Sequence, residues 1–529
     1  MGRSINIYDS TLRDGAQAEG ISFSVEDKLK IVRALDDLGV AYIEAGNPGS
    51  NPKDLDFFSR VKHVRPLNAK IAAFGSTRRK FAIAADDKNL RSLLSADTAV
   101  TTVFGKCWDF HVTDILQTSL DENLNMIRDT VSFLKSWNRE VVFDAEHFFD
   151  GYKANPDYAD ACLKAAAEAG ADCLALCDTN GGAFPTEIYE ITKHAADNFS
   201  LPIGIHCHND GGMAAANSFM AAEAGASQVQ GTFTGFGERC GNVSLATVIA
   251  NLQIKRGYLC VSPEKLRDLT NTARLVNEVA NIWPDETAPY VGRSAFVHKG
   301  GAHIDAVLKS PGSFEHINPA LVGNSRKTLT SEVAGRGAVL AKIQRINPHI
   351  TKDSPETESI IQRIKELEHE GYQFEAAEGA LELIIRKQLG KYRPLFELIN
   401  FRIIGEQPYV TGRSAMAMIK INVEGKTEIT AAEGDGPVNA LDKALRKALE
   451  VFYPQIANVR LTDYKVRVMD GKSATASRVR VLIESTDGAE NWSTVGVSTD
   501  IIEASWIALV DSVEYKLIRD IENRFRAYL

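Results

Sequence analysis

Two histidines separated by one residue stand in an apolar stretch of the sequence, and further polar side chains follow them at once. The stretch is "PIGIHCHNDGG" (202–212), and the histidines are His206 and His208. Residues i and i+2 of a β-strand point to the same side, so a strand here places both imidazoles side by side. Because neutral imidazole is a common metal ligand, the pattern favours a metal site over two histidines that are merely buried and hydrogen-bonded.

A metal site needs more than two ligands, and polar residues at the ends of other predicted strands can supply them. Asp14 follows the first predicted strand and Asn242 follows the eighth. If eight strands close into a barrel, strands 1, 7 and 8 are neighbours. Two nitrogen and two oxygen ligands, with room for substrate or water, suit Mn, Mg, Co or Zn and do not choose among them.

Charged residues at the same strand ends could act on a substrate. Arg13, beside Asp14, could hold a carboxylate or a developing oxyanion, or it could form a surface ion pair of little value. Glu44 and Glu146 could orient other groups, act as general acids or bases, or pair with cations at the barrel mouth. Thr179 could donate a hydrogen bond to a substrate carboxylate.

The elements that must position these residues alternate along the first 260 residues. Apolar or β-branched runs occur eight times, at 5–9, 41–46, 69–75, 99–105, 140–148, 173–179, 202–208 and 227–233. Segments with helical periodicity and capping residues separate them, as at 24–39, 121–137 and 156–170. This alternation predicts an α/β fold, a (β/α)8 TIM barrel with polar residues at the strand ends and apolar strand interiors. A doubly wound open sheet is the competing fold.

The remaining sequence predicts two further parts. We expect the barrel at 1–285, helical linker subdomains at 286–390 and an α+β domain at 391–529. In the last part "TAAEGDGPVNALDKAL" (430–445) is similar to "VGVSTDIIEASWIAL" (495–509), which predicts that a β–β–β–α unit occurs twice. A duplicated unit without a cluster of reactive residues suggests self-association or ligand sensing.

Composition excludes several classes of function. The chain has 529 residues and a formal net charge of −9, without the clustered basic charge of a nucleic-acid-binding protein. We find no secretory signal and no apolar run near the roughly 20 residues of a membrane span. Seven cysteines without CxxC pairs predict reduced thiols in a cytoplasm. The glycines of "GFGERCGN" (235–242) miss the dinucleotide-binding fingerprint by one residue, so we reject that fold.

Six segments together resemble the α-isopropylmalate synthase/homocitrate synthase/citramalate synthase family. They are "YDSTLRDGAQ", "IEAG", "DAEHFFDGY", "CDTNGG", "HCHND" and "GFGERCGN". The resemblance covers nearly the whole chain. It implies a metal-dependent TIM barrel that condenses acetyl-CoA with an α-keto acid, linker subdomains, a C-terminal domain that binds an amino-acid end product, and a homodimer. Related lyases share the motifs, but the long C-terminal region favours a synthase.

The resemblance also implies roles for individual residues. It implies a divalent-metal site made of Asp14, His206, His208 and Asn242. It makes Arg13 the group that stabilises the substrate carbonyl as this becomes an alkoxide, and it places Glu146 in the catalytic cleft. Substrate binding is expected from Arg13, Gln17, Glu44 and Thr179. One departure is Ala16, where many members have Glu.

The segment "GGAHIDAV" is similar to a linker motif of the family whose histidine reaches the active site. This puts His303 forward as the general base or its helper, with His298 in "FVHKGG" as its rival. In some members of the family this histidine comes from the neighbouring subunit.

Three segments are most similar to the branch of the family that condenses pyruvate: 104–112, 144–159 and 177–185. That branch implies a role in isoleucine biosynthesis. The alternative is the branch that uses 2-oxoisovalerate, which needs a larger pocket. The expected effector of the C-terminal domain is isoleucine or leucine. A third possibility is a decayed barrel that supports amino-acid sensing, and the intact metal-ligand set counts against it.

Overall fold

The computed structural model describes residues 3–49, 52–64, 66–328, 336–374, 377–405, 414–469, 477–488 and 490–528. The chain forms two compact units. The first is Met1–Phe296 with Ile317–Arg326, and the second is Val297–His316 with Lys327–Leu529.

The first unit is a closed barrel of eight parallel strands in the order β1 to β8, with β8 paired to β1. The strands are β1 Asn6–Asp9, β2 Tyr42–Glu44, β3 Lys70–Ser76, β4 Val100–Lys106, β5 Glu140–Glu146, β6 Cys173–Asp178, β7 Ile203–Cys207 and β8 Gln228–Gly231. Every strand lies within a run that the sequence predicts, or within one residue of it. The TIM barrel is therefore confirmed, and the open sheet is excluded.

Helices follow the strands and pack around the barrel. They are α1 Val25–Leu38, α2 Pro52–Val64, α3 Lys88–Ser95, α4 Leu120–Ser136, α5 Phe148–Ala154, α6 Pro156–Glu168, α7 Pro185–Asn198, α8 Ala214–Ala224, α9 Leu245–Ala250 and α10 Leu269–Val279. The start of α1 shows how the sequence sets these bounds. The Ser24 side chain accepts from the backbone N–H of Asp27, and the Asp27 carboxylate accepts from the backbone N–H of Ser24.

The expectation that strand interiors stay apolar is wrong for part of the barrel. Buried polar side chains in the strands include Asp9, Thr102, Asp144, Gln228 and Gln230. They bond to one another or to nearby groups. Nε2 of Gln230, for example, donates to Oδ1 of Asp144 at 2.9 Å and to Oε1 of Gln228 at 3.2 Å. Buried polar groups are tolerated when their hydrogen bonds are made, so a polar layer can replace apolar packing here.

The second unit begins with a short parallel pair and several helices. They are β9 Val297–His298, α11 Gly301–Lys309, β10 Lys327–Thr328, α12 Arg336–Ile346, α13 Pro355–His369 and α14 Glu378–Gln388. The helix predicted at 331–343 is described from Arg336 onward, and residues 329–335 lie outside the described part. The apolar side chains of α12 to α14 share a buried cluster with Val495, so these helices do not form a core of their own.

The rest of the second unit consists of two units of the same kind. The first is β11 Glu397–Gly405, β12 Ala415–Val423, β13 Lys426–Gly434 and α15 Pro437–Glu450; the second is β14 Arg460–Val468, β15 Val479–Thr486, β16 Asn491–Ser498 and α16 Ile501–Tyr528. Each has a three-stranded antiparallel sheet, and the two share one buried apolar cluster. The predicted duplication is confirmed.

Two further observations concern the whole described chain. None of its described helices is both long and apolar enough to cross a membrane. All seven cysteines are free thiols in the structure, and only Cys240 is exposed; that they are reduced in a cytoplasm stays a prediction.

A substitution at Gly151 tests how closely α5 packs against the residues that follow β4. A Cβ at this position would lie 2.2 Å from the carbonyl oxygen of Cys107, a backbone atom that cannot easily move. We expect Gly151→Ala to destabilise the barrel by about 1–3 kcal/mol through overpacking and to lower the Tm. Gly182→Ala is the control, because no atom lies within 4 Å of its Cβ position. Equal melting temperatures for the two variants would contradict this account.

Candidate metal centre and active site

The predicted metal ligands come together at the C-terminal mouth of the barrel. Asp14 follows β1, His206 lies in β7, and His208 follows β7 directly. Each of these three offers one ligand atom within 4.8 Å of the others, and all three are buried. The two imidazole rings lie 5.2 Å apart, as the i, i+2 spacing on a strand requires.

The other ring nitrogen of His206 is held from β8. Nε2 of Gln230 donates to Asp144, so its Oε1 is the acceptor that faces Nδ1 of His206 at 3.1 Å. Nδ1 therefore carries the proton, and Nε2 presents a lone pair. That lone pair lies 3.4 Å from Oδ2 of Asp14, so two acceptors face each other, and a cation between them would satisfy both.

His208 and Asn242 supply further donor atoms. The residues pair by an isolated antiparallel bridge, so the loop after β8 returns to the end of β7. Oδ1 of Asn242 and Nδ1 of His208 are buried, and neither has a hydrogen-bond partner among the described residues. Gly237 permits this loop conformation, since its φ is +157° and a Cβ there would lie 2.4 Å from Nδ2 of Asn242.

Charges in the site suit a bound cation. Burial, and then the neighbouring His206, lowers the pKa of His208 to about 4, so its imidazole is neutral near pH 7. Burial opposes ionisation of Asp14, but nearby positive charges, led by Arg13, outweigh it and lower the pKa of this carboxyl. One carboxylate, two imidazoles and one amide oxygen form a donor set that fits a divalent metal.

Arg13 is not a surface residue. Its Nε donates to Oε1 of Glu44 at 2.5 Å, and its Nη1 lies 3.2 Å from Oδ2 of Asp14. The guanidinium lies 3.7 Å from the ring centre of Phe74. Oε2 of Glu44 accepts from the hydroxyl of Tyr8 at 2.6 Å. Glu44 therefore positions Arg13, and the surface ion pair considered from the sequence is excluded.

Glu146 and Thr179 lie at the ends of β5 and β6. The Glu146 carboxylate contacts the ammonium group of Lys106 at the end of β4. Oγ1 of Thr179 accepts the backbone N–H of His147 at 2.9 Å. Because this bond uses a lone pair of Thr179, the hydroxyl proton is left to donate elsewhere.

The remaining predicted site residues are Gln17, His298 and His303. Gln17 is exposed in a short turn, Gly15–Gln17, after β1. His298 is buried in the second unit, where its Nε2 lies 3.2 Å from Oε1 of Glu315. His303 is exposed on α11, and its ring stacks on Phe314 at 4.0 Å. The roles of all the site residues stay predictions.

Sequence reasoning missed Gln230, Asp144, Tyr8 and Phe74, which hold the predicted residues in place. A signal for two of them was present. Asp144 is two residues before Glu146 in β5, and Gln230 is two residues after Gln228 in β8, so each pair shares one side of its strand. For Tyr8 and Phe74 the sequence contains no comparable pattern.

Three family models match consecutive parts of the chain. The HMGL-like model matches residues 4–276, the homocitrate synthase post-HMGL domain-like model matches 290–372, and the LeuA allosteric (dimerisation) domain model matches 375–517.

Similar proteins span almost the whole chain. A protein of Aquifex aeolicus named (R)-citramalate synthase is 52% identical over 525 residues, 99% of both chains. One of the same name from Geobacter sulfurreducens is 52% identical, covering 97% of both chains. A probable 2-isopropylmalate synthase of Methanopyrus kandleri is 32% identical and covers 96% of this chain and 97% of its own.

We predict that Gln230 sets the tautomer and orientation of His206. Gln230→Met should remove all three hydrogen bonds of the amide, to His206, Asp144 and Gln228, and weaken binding of a divalent metal by about 10–100-fold, as loss of such orienting groups does. Mn²⁺ titration of the full chain, followed by electron paramagnetic resonance, measures this affinity.

Gln228→Met is the control for Gln230→Met. Gln228 accepts a hydrogen bond from Gln230 and makes none with His206 within the described ranges, so Mn²⁺ affinity should stay at the level of the unaltered chain. Equal affinities for both variants would rule out the orienting role of Gln230.

Proposed function

The chain belongs to the HMGL-like family, and on that premise we propose that it condenses acetyl-CoA with pyruvate to give (R)-citramalate and CoA. Such an enzyme is an acyltransferase that serves isoleucine biosynthesis. The observation that carries the proposal is the buried Asp14–His206–His208 cluster beside Arg13. It lies in a chain that is 52% identical to a relative named (R)-citramalate synthase.

We propose that Asp14, His206, His208 and Asn242 hold a divalent metal. Their donor set fits Mn, Mg, Co or Zn. When bound, the metal polarises the keto group of the second substrate. His206 and Asn242 need break no hydrogen bond to bind it, because in the described part of the chain neither Nε2 of His206 nor Oδ1 of Asn242 makes one.

Arg13 is proposed to bind the oxygen that becomes an alkoxide. Its guanidinium is fixed by Glu44, Asp14 and the face of Phe74, so it does not reorganise as the charge develops. Thr179 has a hydroxyl proton available for the keto-acid carboxylate, and Gln17 is proposed as a further substrate contact.

Condensation requires loss of a proton from the methyl group of acetyl-CoA. We assign the base to His303, with His298 as the alternative and Glu146 as a group in the cleft. The resulting carbanion attacks the keto carbon, a C–C bond forms, and the keto oxygen becomes the alkoxide. Water then cleaves the C–S bond of the thioester, which releases CoA and the new carboxylate.

The surroundings of Arg13 support a small keto acid. Phe74, under the guanidinium, stacks on Phe104 at 5.4 Å, so bulky rings occupy this side of the site. One methylene changes binding by about 1–3 kcal/mol in an apolar pocket, enough to favour pyruvate over 2-oxoisovalerate without excluding it.

The second unit is proposed to regulate the enzyme. The match to the LeuA allosteric (dimerisation) domain over 375–517 supports an amino-acid effector site and a homodimer. We propose isoleucine as the effector, because the reaction proposed above leads to it, with leucine as the alternative.

CoA release from acetyl-CoA, followed with a thiol reagent, tests the proposed function. With Mn²⁺ or Mg²⁺ present we expect turnover with pyruvate, little with 2-oxoisovalerate and none with 2-oxoglutarate. Chelation should abolish turnover, and added metal should restore it. If no keto acid causes CoA release, the synthase proposal is wrong. If 2-oxoisovalerate is preferred to pyruvate, the chain belongs to the other branch.

Three variants test the assignment of the base. His303→Ala should lower kcat by about 10²–10⁴-fold with little change in KM for either substrate, because it removes a proton acceptor rather than a binding contact. His298→Ala and Glu146→Gln, measured in the same steady-state assay, should lower kcat less. A larger loss of kcat in His298→Ala than in His303→Ala would transfer the role to His298.

A further inference from the structure

A cavity opens in the first unit between the loops that follow β3 and β4. Its volume is about 290 Å³. It is lined by residues 76–80 and 104–106, together with Leu116 and Met126. Its walls therefore combine apolar side chains with a run of three basic residues, Arg78, Arg79 and Lys80.

The basic side chains of this cavity differ in how their charge is compensated. Arg78 is paired with Glu122 at 2.8 Å and with Asp129 at 2.7 Å. Arg79 is exposed, and no carboxylate pairs with its side chain within the described ranges.

Lys80 is held by backbone rather than by an acid. Its Nζ donates to the carbonyl oxygens of Leu116 at 2.9 Å and Gln117 at 3.1 Å, which tie the two loops together. Carbonyl groups are neutral, so this charge also remains uncompensated. The rim of the cavity thus offers two positive charges to an anionic ligand.

The cavity adjoins the candidate active site. Phe104, in the wall of the cavity, stacks on Phe74, and the guanidinium of Arg13 lies over the ring of Phe74. Lys106, also in its wall, contacts Glu146. A ligand in the cavity can therefore place one end beside the groups proposed to act on the substrates.

We propose that this cavity binds the CoA portion of acetyl-CoA, with Arg79 and Lys80 binding its phosphates. The inference rests on the proposed function, which requires a thioester whose reacting end is small and uncharged and whose far end is strongly anionic. Arginine and lysine are the common phosphate-binding side chains, and Phe104, Leu116 and Met126 offer apolar contact to the connecting arm.

Phe81 supports the assignment independently of charge. Its φ is +61°, uncommon for a bulky residue, and its side chain is 77% exposed. Glu122 accepts its backbone N–H at 2.7 Å and so holds the turn. Such backbone strain is found preferentially at functional sites, and an exposed ring next to Lys80 offers a stacking surface for an adenine base.

The test compares acetyl-CoA with acetyl-N-acetylcysteamine, a thioester that lacks the phosphates and the adenine. We expect Arg79→Ala and Lys80→Ala each to raise KM for acetyl-CoA by roughly 10-fold, since each removes a charge-assisted contact. The kcat, the KM for pyruvate and the kinetics with the truncated thioester should not change. The control is Lys164→Ala, which removes an exposed charge on α6 that lies 3.8 Å from Glu168.

Two kinetic outcomes would overturn the assignment. Equal losses with both thioesters would mean that the variants disturb the active site rather than CoA binding. An unchanged KM for acetyl-CoA would place the CoA phosphates elsewhere, and a changed oligomeric state in the same variants, measured by light scattering, would make this rim a contact between proteins.

A second measurement separates this inference from the proposed function. Calorimetric titration of CoA into the full chain requires no turnover. If no keto acid reacts but CoA binds and Arg79→Ala weakens that binding, the cavity assignment stands and the proposed function fails. If CoA binds the unaltered chain and the variants with one affinity, the cavity assignment fails whatever the turnover.

Discussion

The excess of buried negative charge at the mouth of the barrel is the constraint on which the rest of the site depends. Asp14 and Glu44 are both buried there, and the single cation Arg13 pairs with both carboxylates. Burial and the charge of Glu44 raise the pKa of the third buried carboxyl group, Asp144, to about 8, so it adds little charge near neutral pH. Buried carboxylates are costly unless cations compensate them. This arrangement explains both the fixed position of Arg13 and the fit of a divalent metal beside it.

Positions around this charge are set by contacts between neighbouring strands of the barrel. Gln230 in β8 orients His206 in β7, and Glu44 in β2 orients Arg13 after β1. His206 and Arg13, which are proposed to touch metal and substrate, are thus held through atoms that the chemistry does not use. A barrel suits this purpose because its closure makes β1 and β8 neighbours and brings both ends of the domain to one rim.

The two sheets of the second unit differ in what covers their faces. Each sheet packs one face against a helix, α15 or α16. The other face of the first sheet exposes Ile404, Met416 and Met418, whereas the other face of the second sheet packs Val495 against α12 to α14. An exposed apolar face of this kind marks an association surface, which agrees with the match to a dimerisation domain.

The sequence by itself determined the features that depend on local periodicity. Eight apolar runs separated by helical segments specified the barrel, alternation along β7 put His206 and His208 on one side, and the repeat revealed the duplicated unit. These predictions succeeded because the direction of a side chain in a strand or helix depends only on its place in the period. Predicted helix 24–39, for example, differs from α1 by one residue at each end.

Only the tertiary structure decided which of these side chains meet. It buried Arg13 between two acids and an aromatic ring, and it placed the amide of Gln230 between His206 and Asp144. At the rim of a cavity it left Arg79 and Lys80 without an acidic partner in the part of the chain that the structure describes. It also filled strand interiors with polar residues that the sequence predicted to be apolar. Such contacts join residues from different strands and loops, and their distances follow from barrel closure and packing, which no local pattern in the chain encodes.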